Sequence, residues 1–134
     1  MIVLEPDIMG SVAAGIVAFI IGFAWYGPLF GKQWMQYMGL KQESMKKEGM
    51  MPAMIGGLVT AIVSAGVLSI FISATGVADI AGALAVGFLV WVGFFLTTGL
   101  GIVLWEQKPI GLYFLNAGHH LVTLLVMSAV IFLL

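Results

Sequence analysis

Residues 49–78 read GMMPAMIGGLVTAIVSAGVLSIFISATGVA, and none of these side chains carries a charge. A helix needs about 20 apolar residues to cross a hydrocarbon core of ~30 Å, and this stretch exceeds that with one proline, Pro52, near its start. Backbone polar groups inside lipid have to be satisfied within the segment, so the stretch is read as a helix and not as an open strand. Working outward, the charged residues cut the rest of the chain into three more such runs, residues 8–31, 80–105 and 109–134. Pro6, Pro52 and Pro109 sit at or just before the starts of runs, where a missing N–H costs little. Pro28 falls at the far end of the first run, and no proline interrupts the middle of any. The first run is not read as a cleaved signal, because residues 1–7 carry two acids and no lysine where a signal peptide needs a positive start.

The composition agrees. Of 134 residues 62% are hydrophobic and 8% charged, against roughly 25% charged in soluble domains. That leaves too little polar surface to face water, so a soluble globule is excluded. High apolar content with a net charge of −1 excludes disorder. All five basic residues are lysines, set against six acids, which gives no basic surface for nucleic acid. The absence of cysteine removes disulfides, thiolate metal sites and a Cys nucleophile. The expected fold is an all-α membrane protein in one domain, residues 1–134. Four antiparallel transmembrane helices over residues 8–29, 51–75, 80–105 and 110–133 are joined by a short interfacial amphipathic helix over residues 31–40, after the first. Short connections after the second and third helices imply that consecutive helices are neighbours.

Lysines give the orientation. Lys32, Lys41, Lys46 and Lys47 follow the first helix and Lys108 follows the third, while the other side holds only Glu5, Asp7 and Asp79. The positive-inside rule places the lysine-bearing connections in the cytoplasm and both termini outside.

In the long connection Phe30, Trp34, Tyr37 and Met38 recur on one helical face, with Lys32, Gln33 and Gln36 opposite. This is the pattern of a helix lying in the membrane interface, and Gly27-Pro28 supplies the break into it. Trp25, Tyr26, Trp105 and Tyr113 fall near the same boundary and are expected to form an aromatic belt. Methionines gather here too. Met35/Met38 and Met51/Met54 have a spacing that suits soft Cu(I), but with no Cys or His nearby a soft, adaptable apolar surface is the simpler reading, and Met45 and Met50 belong to it as well. No metal and no cofactor is expected.

Small residues recur every fourth position on three helices: Ala14, Ala18 and Gly22 on the first; Gly57, Ala61, Ala65, Ser69 and Ser73 on the second; Gly93, Thr97 and Gly101 on the third. Such rows let backbones approach closely. The second helix, with the longest row, is expected to pack closely on both sides. So small a four-helix unit has little interior, and a homo-oligomer in the lipid bilayer is expected.

The fourth helix carries the densest polar patch, Asn116-Ala117-Gly118-His119-His120-Leu121-Val122-Thr123. At ~1.5 Å per residue the histidines lie roughly 15 Å from the helix start, near the midplane. Asn116, His120 and Thr123 share a face, flanked by His119. Polar side chains at that depth either glue helices together or mark a ligand or proton site. Adjacent histidines point ~100° apart and cannot chelate one metal as an i, i+4 pair does. No acid lies within any run, so a carboxylate-driven exchanger has no carrier; the small multidrug resistance exporters need one in their first helix. No nucleophile elbow, P-loop or His-Glu-x-x-His is present, and no catalytic residue is assigned.

The block Gly22-Phe23-Ala24-Trp25-Tyr26-Gly27-Pro28-Leu29-Phe30-Gly31-Lys32-Gln33-Trp34, with Leu115-Asn116-Ala117-Gly118 near the C-terminus, resembles the domain of unknown function 1761 family over essentially the whole chain. The resemblance implies a small four-helix protein of a bacterial inner membrane and carries no established activity. Two readings follow. In the first, a homo-oligomer binds or passes a small lipophilic or weakly basic solute at Asn116, His119, His120 and Thr123, with Trp25 and Tyr26 as cytoplasmic gate. In the second, a non-transporting accessory subunit packs on a larger membrane complex through its small-residue rows. A third and more distant one is an enzyme or haem-binding unit using His119 or His120.

Overall fold

A computed structural model describes residues 4–40 and 49–134. Lys41, Met45, Lys46 and Lys47, read above as part of the long connection, lie outside the described residues. Four helices are long and apolar enough to cross a membrane: α1 (Ile8–Leu29), α3 (Met50–Ala74), α4 (Ile80–Leu104) and α5 (Ile110–Leu133). The short α2 (Gly31–Met38) follows α1. This is an all-helical membrane protein. Among the described residues the two acids before α1 and α4 cap those helices. The Asp7 carboxylate accepts from the Gly10 N–H at 3.0 Å and that of Asp79 from Gly82 at 2.8 Å, satisfying donors left free at a helix start. Gly39 closes α2 at φ 70°, a left-handed cap that favours glycine.

α1 and α5 form the spine. α1 packs along both α3 and α5, and α4 lies against α5. Consecutive helices were expected to be neighbours, but α3 and α4 barely touch although residues 75–79 join them directly. The cause lies in the small residues of α4. A Cβ on Gly87 would collide with the Ser128 hydroxyl and lie 3.0 Å from the Leu124 carbonyl, so α4 sits deep against α5 and away from α3. Ala83, one turn earlier, is fully buried. The expected row Gly93, Thr97 and Gly101 is not this contact: Gly93 and Thr97 are exposed, and nothing approaches Gly93 within 4 Å. On the other flank a Cβ on Gly15 would lie 2.7 Å from the Ile62 Cα, which fixes α1 close to α3.

The packed core is Ala14, Ala18, Ala65, Leu68, Ile72, Leu124, Met127 and Ile131. It fills the half of the molecule away from α2. α3 was expected to pack closely on both sides along its whole row; instead Ala65 and Ser69 are buried, whereas Gly57, Thr60 and Ser64 are open. Their side chains are too small to reach a neighbour, and the α2-ward half is left hollow.

Candidate functional site

A cavity of about 610 Å³ occupies that half, bounded by α1, α3 and α5 with Phe95 of α4 at its back. Tyr26, His119, His120 and Thr123 line it together with Thr60 and Ser64. A second cavity of about 340 Å³ lies between α4 and α5, lined by Asn116, Tyr113 and again His120 and Phe95. His120 and Phe95 therefore stand between the two, their rings 4.8 Å apart. Of the six residues read from sequence, four line the larger cavity, and Asn116 lines the smaller one. Trp25 lines neither of the two.

The aromatic residues of the first helix do more than anchor. α1 ends in a π-helical turn, Trp25–Leu29, in which Pro28 has no N–H to donate and the Phe30 N–H reaches back to the Trp25 carbonyl at 2.8 Å. That turn swings two rings onto α5. The Trp25 indole donates to the Leu115 carbonyl at 3.2 Å, and the Tyr26 hydroxyl donates to Asn116 Oδ1 at 2.7 Å. α4 holds a second π turn, Trp91–Leu96. From it the Trp91 indole donates to the Ala117 carbonyl at 2.8 Å, and the Leu96 carbonyl accepts the Tyr113 hydroxyl at 2.6 Å. The expected belt of Trp25, Tyr26, Trp105 and Tyr113 is thus corrected. Only Trp105, at 86% exposure, has the position of a belt residue; the other three turn inward because buried indole and phenol groups need acceptors. α2 closes the same end, with Trp34 edge-on to Tyr26 at 6.0 Å and Tyr37 seated over Gly111, where a Cβ would collide with it.

His119 lies at the centre of this arrangement. Its ring is 4.9 Å from that of Tyr26, 6.0 Å from Trp25 and 5.1 Å from His120. Both of its nitrogens are buried, and neither has a hydrogen-bond partner among the described residues; the same holds for the Thr123 hydroxyl. Helical hydroxyls ordinarily settle on a carbonyl of their own helix, as Thr60, Thr97, Thr98 and Ser128 do here. Thr123 does not, although it is only 8% exposed. Buried polar groups in native proteins are satisfied with few exceptions, and these three atoms belong to two residues that line one cavity. A neutral imidazole offers one donor and one acceptor, and a hydroxyl offers both. Among the described residues no charged side chain lines the cavity.

Fold and site define the class: a small, four-spanning membrane protein with an apolar cavity open at its side and uncharged polar residues among its lining. The chain belongs to the family described as protein of unknown function (DUF1761), whose profile matches residues 9–132. No curated protein and no solved structure matches it.

Sequence reasoning missed the contributions of Phe95, Thr60 and Ser64. The hydroxyls were visible on the second helix, but only the splaying of α3 from α4 turns them toward His119's cavity. Met50 and Met54 also line it, a placement that fits methionine's role as an adaptable apolar surface.

Proposed function

We propose that this is a multi-pass protein of a bacterial inner membrane that binds or passes a small lipophilic solute, uncharged or weakly basic, in the cavity beside His119. The observation that carries the reading is the set of three unpartnered polar atoms, two on His119 and one on Thr123, in residues that line an apolar cavity. Its volume falls within the ~300–1,000 Å³ usual for small-molecule pockets. The open positions on α3, Gly57, Thr60 and Ser64, leave it accessible from the side. The lysines support an orientation with α2 in the cytoplasm and both termini outside, since Lys32 and Lys108 sit at one end of the bundle.

Self-association is part of this proposal. The row Gly93, Thr97 on α4 is exposed beside Phe94 and Leu89, and a second copy packing there would use the close approach that small residues allow. The same face suits the accessory-subunit reading, in which a foreign subunit covers it. Extraction in mild detergent separates them: a self-assembly free of other chains supports the first, and a stoichiometric foreign subunit supports the second.

Solute binding is tested with N-phenyl-1-naphthylamine, a lipophilic, uncharged dye with one N–H, and protein in lipid nanodiscs. Dye emission excited through tryptophan should saturate. His119→Phe and Thr123→Val should each weaken binding about tenfold, the equivalent of ~1.4 kcal/mol. Equal affinity in both variants and the unsubstituted protein contradicts the reading.

A further inference from the structure

The cavity does not stop at His119. A groove of about 360 Å³ adjoins it between α3 and α4, and Ser64, Phe95 and Leu124 line both. Its floor is Leu68 and Leu124, both buried, and its walls include Val67 and Phe71 on one side and Val90 and Phe94 on the other. Of its lining residues only Ser64 has a polar side chain. Between Ser64 and Phe71 it extends about 10 Å along α3, away from α2. The polar patch and the apolar groove therefore adjoin across these shared side chains, and together they give a space polar at the α2-ward end and apolar beyond it. We propose that this space holds a single-chain amphiphile, with an uncharged hydrogen-bonding head at His119 and Thr123 and its alkyl chain in the groove between α3 and α4. This rests on the cavity reading above and adds the ligand's class.

Three features favour such a guest. The head has to be uncharged, because among the described residues no charged side chain lines either part and an unpaired buried ion is costly. It has to both donate and accept, as an alcohol does, to match an imidazole and a hydroxyl. The chain has a dry path because α3 and α4, adjacent in sequence, stand apart. With its head near the midplane and its chain running on away from α2, the guest can slide in between the two helices without leaving the membrane.

The test is displacement of N-phenyl-1-naphthylamine from the full chain in nanodiscs by hexanol, dodecanol, dodecanoate and dodecyltrimethylammonium, each expressed as its mole fraction in the bilayer. Dodecanol should compete about fivefold better than hexanol, a gain that lipid alone does not give because only packing distinguishes groove from bilayer. The two charged analogues should compete worse than dodecanol. Val67→Trp, which fills the groove at an exposed position, should abolish the chain-length gain and leave hexanol unchanged, while Val59→Trp, equally exposed and outside the groove, should change neither. Equal competition by hexanol and dodecanol, or insensitivity to Val67→Trp, overturns the amphiphile and leaves the cavity reading standing. Failure of the dye and of every alkanol to bind overturns both.

Discussion

Thr123 shows most plainly why the site is read as a binding site and not as glue. Its hydroxyl is buried and unpartnered, and valine has nearly its shape. Thr123→Val should therefore hold or raise thermal stability, since a hydroxyl without a partner costs about 1–3 kcal/mol to bury, and it should weaken dye binding at the same time. Glue behaves in the opposite way. Tyr26→Phe removes a real bond, the 2.7 Å contact to Asn116, and should lower stability by about 1 kcal/mol, the worth of one interhelical hydrogen bond. Thermal unfolding of the two variants in the same detergent checks both signs; a clear loss of stability in Thr123→Val would mean that the hydroxyl has a partner.

At the scale of elements, the small-residue row of α3 has two uses that its spacing does not distinguish. At Ala65 and Ser69 it lets α1 approach, and at Gly57, with Thr60 and Ser64 beside the row, it makes room. Ala65→Leu, at a position with 0% exposure, should overpack the α1 contact and cost about 1–3 kcal/mol, whereas Val63→Leu, at 60% exposure, should be mild. Equal tolerance in a thermal-unfolding assay would remove that row as an interface. The four spans, the break at Gly27-Pro28 and the polar patch of α5 were legible because each is written in local composition. The partner faces were not. A 3.6-residue repeat shows which residues share a side of a helix, but only the other helices decide whether that side meets a backbone, a cavity or lipid. Trp25 and Tyr26 were misread as belt residues for the same reason: the π turn that swings them inward follows from Pro28, yet the acceptors they reach lie 90 positions along the chain. The capping roles of Asp7 and Asp79 did have a local signal, an acid three residues before a glycine at the start of an apolar run.

At the scale of the molecule the two halves differ. The half away from α2 holds the packed core, and the α2-ward half holds the larger cavity; the proposed orientation, read from the lysines, puts that second half on the cytoplasmic side. The chain has no cysteine, so single introduced cysteines report topology cleanly. Gln36→Cys, exposed on α2, should resist a membrane-impermeant maleimide in intact cells, and Ala78→Cys, beside Asp79, should react; the reverse pattern would invert the protein in the membrane and place the cavity's mouth outside.

The most direct measurement of the central claim is ¹⁵N NMR of the His119 imidazole, assigned by comparison with a His119→Phe sample, in nanodiscs titrated with N-phenyl-1-naphthylamine. The expected result is a saturable change in the resonances of the His119 ring nitrogens, with the same midpoint as the dye's fluorescence and reduced about fivefold in Thr123→Val at that midpoint concentration. Imidazole resonances that stay fixed while the dye saturates would contradict the claim, because the guest would then be bound somewhere that His119 does not touch.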